Sequence, residues 1–157
     1  MPEIELDAID RRILTAIQTN ARMRNVDLAD AVGLSASPCL RRVKRLEDAG
    51  VIRDYVTLVD QQAVGLPVSI FINVTLERQV EKALEEFEAK IRSWPEVMEC
   101  YLMTGDADYL LRVVTSDLSA YERFLMDKLT RMKGVAAIKS SFSLKQVVYR
   151  TALPVAG

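Results

Sequence analysis

The hydrophobic period of this chain changes near residue 60, and that change limits what it can fold into. Before it, apolar residues recur every three or four positions in short blocks; beyond it, stretches of strict alternation stand between helical blocks. A chain of 157 residues is long enough for two small domains. The pattern predicts an N-terminal domain over residues 1–60, a linker over 61–67 and a C-terminal domain over 68–157.

The first half reads as three helices. Asp7 is placed to cap the first, Asp10 adds negative charge to its first turn, and Ile9, Ile13, Leu14 and Ile17 form its apolar stripe. A second runs from about Val26 to Val32, with Asn25 as its cap and Gly33 as the left-handed residue that stops it. Ser35 opens the third, from about Ala36 to Ala49, with Pro38 in the first turn where a missing N–H costs nothing. Leu40, Val43 and Leu46 are expected to face inward, and Ser37, Arg41, Lys44 and Arg45 outward. Val51 to Leu58 then reads as two short strands around Arg53-Asp54, a small wing.

The second half reads as β-α-β-β-α-β. Val68, Ile70, Ile72, Val74 and Leu76 alternate with polar partners in a first strand, and Val80, Leu84, Phe87 and Ile91 line a helix that Trp94-Pro95-Glu96 breaks. Val97 to Thr104 and Asp108 to Thr115 are strands joined by a Gly105-Asp106-Ala107 turn. A helix capped by Ser116 or Asp117, with Leu118, Tyr121, Leu125 and Leu129 inward, leads through Gly134 to a last strand from Val135 to about Leu144. Val147 to Ala152 is expected to add an edge strand. The fold class is therefore α+β: a winged helix-turn-helix joined to a ferredoxin-like βαββαβ domain. Such a domain is small for an open sheet with one bare face, so self-association over that face is expected.

The chain contains no histidine, which removes the commonest general base and a common metal ligand. An enzyme built on the second domain would have to rely on Asp106, Asp108, Glu99 and Lys139, with no phosphate loop, so no enzymatic activity, catalytic residue, metal or cofactor is expected. Cys39 and Cys100 stand far apart in no metal spacing and read as two reduced, buried thiols. The acidic start, Met1-Pro2-Glu3-Ile4-Glu5, is unlike a signal peptide, and no apolar run reaches the roughly 20 residues of a membrane span. A cytoplasmic protein with no membrane partner is the expectation.

Net charge is −1, and residues 1–60 hold nine basic against ten acidic residues, so positive charge matters by position and not by sum. It concentrates on the third helix: Arg41, Arg42, Lys44 and Arg45 are basic, and no acid occurs between Asp30 and Glu47. Two helices joined by a short Gly-containing turn place the second in the major groove of duplex DNA. The expected DNA contacts are Ser35, Ser37, Pro38, Arg41, Arg42, Lys44 and Arg45. An architectural protein that binds DNA without an effector would share every one of these features.

Three segments of the first domain carry a closer likeness: Leu6-Asp7-x-x-Asp10-x-x-Ile13-Leu14, Leu28-Ala29-x-x-Val32-Gly33-Leu34-Ser35, and Arg42-Val43-x-x-Leu46-Glu47-x-x-Gly50-Val51-Ile52. Together with Thr104-Gly105-Asp106-Ala107-Asp108-Tyr109-Leu110-Leu111 they resemble the Lrp/AsnC family, the leucine-responsive or feast/famine regulators. The resemblance implies a homo-oligomer, a dimer and beyond it a tetramer or octamer, assembled through the C-terminal domain. It also implies an amino acid or related metabolite held between C-terminal domains of neighbouring subunits. On this likeness the effector would meet Met103, Thr104, Gly105, Asp106, Asp108 and Tyr109, with Ser140 and Ser141 on the opposing wall. Asp106 or Asp108 would suit its ammonium and the Gly105 turn its carboxylate. As residues alone, Gly105-Asp106 also make an ordinary β-hairpin turn.

Overall fold

The computed structural model describes residues 4–155, so the starts and ends of the expected domains at 1–3 and 156–157 lie outside the described residues. The described residues divide into two compact units, residues 4–57 with 147–155, and residues 58–146.

In the first unit, α1 spans Ala8–Thr19, α2 Asn25–Val32 and α3 Ala36–Asp48. α1 starts with a reciprocal cap: the Asp10 N–H donates to the Asp7 carboxylate at 2.8 Å, and the Asp7 N–H donates to the Asp10 carboxylate at 3.1 Å. Gly33 ends α2 at φ 74°, a left-handed conformation in which a residue without Cβ is favoured. Ile13, Leu28, Ala29, Val32, Cys39 and Leu46 form the core of this unit.

Three expectations for this unit change. Asn25 is the first residue of α2 and not its cap; its amide N–H bonds the Ala36 carbonyl at 2.8 Å and so ties the start of α2 to the start of α3. On α3 the inward residue is Cys39, fully buried, while Leu40 is 56% exposed. The core face runs 39, 43, 46, a spacing of four and three that stays on one side of a helix; 40, 43, 46 drifts round it. Residues 51–58 form no strand, so the expected wing has no strand ladder. Tight two-residue hairpin turns favour Gly or Asn at positive φ, and a lone two-stranded ribbon is marginal in water; Arg53-Asp54 meets neither need.

In the second unit β1 (Val68–Leu76), α4 (Glu81–Arg92), β2 (Val97–Leu102), β3 (Tyr109–Thr115), α5 (Leu118–Phe124) and β4 (Val135–Phe142) follow the expected order. α5 runs on into a π-helical turn over Leu125–Leu129. The sheet is antiparallel in the order β2-β3-β1-β4, the ferredoxin-like arrangement. One face carries Ile70, Ile72, Val74, Leu111 and Val113 and packs against Phe87, Ile91, Tyr121, Phe124 and Leu129 of the helices. Leu118 (57% exposed) and Val80 (53% exposed) stay outside this core, because each sits at the very start of its helix.

The tail is the larger correction. Residues 147–152 form no edge strand. Instead, residues 147–155 group with the first unit: the Gln18 side chain donates to the Leu153 carbonyl at 3.1 Å and accepts from its N–H at 2.6 Å, and Val155 packs against the three-helix core. A strand that fails to reach the sheet finds its backbone partners on α1 instead.

Candidate DNA-reading helix and effector turn

α3 presents two kinds of cation. Arg42 donates to Asp7 at 2.7 Å and to Asp10 at 2.9 Å, and Arg45 also pairs with Asp10. The Asp10 carboxylate is fully buried, so three donors, the Asp7 N–H and the two guanidiniums, replace the water it has lost. The Asp10 N–H and then the Arg42 guanidinium hold the Asp7 carboxyl down at about 2. Two of the expected DNA contacts, Arg42 and Arg45, are thereby occupied in fixing α3 against α1. Nothing in the charge pattern of α3 alone signals this, because the carboxylates that hold the two guanidiniums lie on α1 and its cap, more than thirty residues earlier.

The remaining face is exposed. Ser35 precedes the helix and its hydroxyl makes no cap bond; Ser37, Arg41 and Lys44 follow on one side, with Pro38 half-buried between them and the core. Among the described residues neither Arg41 nor Lys44 makes an ion pair, which leaves two cations and two hydroxyls on an open face, the combination that phosphate and base edges accept.

In the second unit the β2–β3 turn is closed by the Met103 N–H donating to the Asp108 carbonyl at 2.8 Å. Gly105 takes φ 118° at its tip, where a side chain would be strained. Met103, Thr104, Gly105 and Asp106 are exposed. Asp108 is not: its carboxylate accepts from the N–H of Leu76, the last residue of β1, at 2.7 Å and from the side-chain amide of Gln79, three residues beyond, at 2.6 Å. Tyr109 is likewise buried, stacked on Phe87 at 4.5 Å with its hydroxyl on Glu88 at 3.0 Å. Burial, with Glu88 beside it, pushes the Tyr109 phenol well above its usual range. Ser140 and Ser141 lie on opposite faces of β4: Ser140 pairs across from Ile72 and bonds the Tyr121 hydroxyl under the helices, while Ser141 pairs across from Phe71 on the open face. The two serines therefore cannot share one wall.

Sequence reasoning also missed a cavity of about 360 Å³ at the foot of the turn. It opens between α4 and β2, with Glu88 and Arg92 at its polar side and Ile91, Met98 and Leu102 among its apolar lining. Cys100 lines it too, its thiol pushed up to about 11 chiefly by burial and then by Glu88. Alternation along β2 could have predicted an inward Cys100, but not the gap beside it.

Comparison with known proteins finds a family for each half of the chain. Residues 6–53 match the family described as winged helix-turn-helix DNA-binding, and residues 69–153 match the Lrp/AsnC ligand binding domain. The Bkd operon transcriptional regulator of Pseudomonas aeruginosa is 49% identical over 150 residues, 96% of this chain and 98% of its own. A leucine-responsive regulatory protein of Rhizobium meliloti is 41% identical over 144 residues, 92% of each chain. Among solved structures, a transcriptional regulator of Neisseria meningitidis in complex with L-Met superposes with a TM-score of 0.91 at 44% identity, covering 96% of this chain and 97% of that one.

Proposed function

Because the chain belongs to the Lrp/AsnC family of DNA-binding transcriptional regulators, we propose that it reads operator DNA with the outer face of α3 and responds to an amino acid bound beside the β2–β3 turn. The observation that carries the first part is the split of the α3 cations: Arg42 and Arg45 turned back onto Asp10, Arg41 and Lys44 left open with Ser37. The regulator acts by binding and not by catalysis, and works in the cytoplasm, where its DNA is; among the described residues no helix is long and apolar enough to cross a membrane.

For the effector, Asp106 is the exposed carboxylate that suits an ammonium, and the Gly105 turn offers backbone N–H groups to a carboxylate. The neighbouring lining of Ile91, Met98 and Leu102 favours an apolar side chain. An apolar amino acid also fits the leucine-responsive relative and the L-Met held by the Neisseria protein. The site is completed in a homo-oligomer. The open face of the sheet, with Phe71, Leu110 and Arg112 at its centre, supplies the surface for it.

The test is fluorescence anisotropy on the DNA upstream of the chain's own coding region, with each of the twenty amino acids in turn. Saturable binding at nanomolar to micromolar protein that an apolar amino acid alters, together with a thermal shift from that same amino acid, is expected. Binding no tighter than to unrelated DNA would refute the reading.

A further inference from the structure

We propose that Leu40 is a base-reading residue that packs against the 5-methyl group of a thymine in the major groove. The inference rests on the reading of α3 as the DNA-facing helix and goes beyond it, since it assigns sequence discrimination to an apolar side chain.

A single exposed leucine is ordinary on a protein surface. Position makes this one different. Leu40 is 56% exposed on the helix that follows the turn, while Cys39 and Leu46, its neighbours in sequence and one face round, are fully buried. At 100° per residue Leu40 falls on the same side as Ser37, Arg41 and Lys44. It is not part of the apolar cluster under α3, which takes Val43 instead. The leucine therefore stands at the edge of the outward face, next to Ser37 and to two cations without carboxylate partners among the described residues.

That setting selects the occupant. Arg41 and Lys44 attract a polyanion and would repel a basic surface. A helix bound in the major groove meets only one apolar group on the base edges, the thymine methyl. Leu40, beside the cations and in the N-terminal half of α3, is positioned where a helix-turn-helix reads bases, and it fills the one role that Ser37, Arg41 and Lys44 cannot.

The experiment replaces each thymine of a selected operator singly with deoxyuridine, which removes the methyl and nothing else. Operators are selected from random duplexes with the full-length protein. Wild type is expected to lose about fourfold in affinity at one thymine per half-site, the worth of one buried methyl. Leu40→Ala should bind more weakly and show no difference between thymine and deoxyuridine there, while remaining sensitive to changes at other positions. Leu40→Met, which keeps an apolar tip, should retain the discrimination. If no thymine distinguishes wild type from Leu40→Ala, or if Leu40→Ala binds as well as wild type, the proposal falls. A change in oligomeric mass on light scattering without any deoxyuridine effect would overturn it too, and make Leu40 a contact between copies. Arg41→Ala and Lys44→Ala separate the two levels of inference. If both bind all DNA as wild type does, α3 is not the reading helix. If they weaken binding while deoxyuridine has no effect, only the thymine contact is wrong.

Discussion

Arg42 on α3 reaches the fully buried carboxylate of Asp10 on α1 at 2.9 Å, across 32 residues of sequence. With Arg45 on the same carboxylate, the pair fixes how far α3 stands from α1 and which of its sides turns outward. The Arg42 and Arg45 side chains are 28% and 47% exposed, so each can fall back on water if Asp10 is lost. Asp10→Ala is expected to destabilise the three-helix unit toward the lower end of the 3–5 kcal/mol, in order of magnitude, that follows loss of one partner of a buried ion pair. Urea unfolding read by circular dichroism measures it. A loss below about 0.5 kcal/mol would show that the clamp holds nothing.

Acid should weaken this end of the molecule in a defined window. The Asp10 N–H, and after it Arg42, hold the Asp7 carboxyl at about 2 against 3.8 ordinarily. A depressed folded-state value means the unfolded chain takes up the proton first. The stability from Asp7 is therefore complete above pH 3.8 and is lost as pH falls through about 2. Asp7→Asn should flatten the acid limb of the stability curve between those values relative to wild type. Parallel curves for the two proteins would contradict this.

The two carboxylates of the turn are expected to behave differently. Asp108→Ala leaves the Leu76 N–H buried without its acceptor, at a cost of about 1–3 kcal/mol, so its melting temperature should drop. Asp106→Ala changes an exposed side chain and should melt within the range of an ordinary surface change, about 0.5 kcal/mol either way. Asp106→Ala, however, should lose the thermal shift given by the amino-acid effector, since removing one member of a charge-assisted pair costs about 2–5 kcal/mol of binding. A normal ligand shift in Asp106→Ala would move the effector elsewhere.

Assembly through the open sheet face can be tested at Phe71, which stands between Arg112 and Ser141 on neighbouring strands and is 37% exposed. Wild type is expected at a multiple of 17.7 kDa on light scattering. Phe71→Asp, which would bury a charge in such an interface, should return the 17.7 kDa chain. An unchanged mass would exclude this face.

The strands and helices of the second unit were legible because their alternation is long and their faces strongly contrasted, as in Ile70, Ile72 and Val74. The inward side of α3 was not. Leucine is the more usual core residue, and only the helical phase set by Val43 and Leu46 prefers Cys39. The turn at Gly105 was visible from its glycine, whereas the burial of Asp108 was not, because its partners Leu76 and Gln79 lie about thirty residues earlier. Arg42 and Arg45 read as DNA contacts for the same reason: charge on one helix is seen in sequence, and a carboxylate waiting on another is not.

The return of residues 147–155 to α1 makes the sheet-bearing unit an insertion within the helical one, so the polypeptide passes between them twice. A fragment cut at residue 60 is therefore not the whole of the helical unit: it lacks the segment that covers Gln18 and receives Val155. A protease nick in residues 58–66 would sever one connection and leave the other intact. A DNA-binding unit taken for transfer to another protein would have to carry residues 147–155 with it, rejoined through a short bridge in place of the sheet.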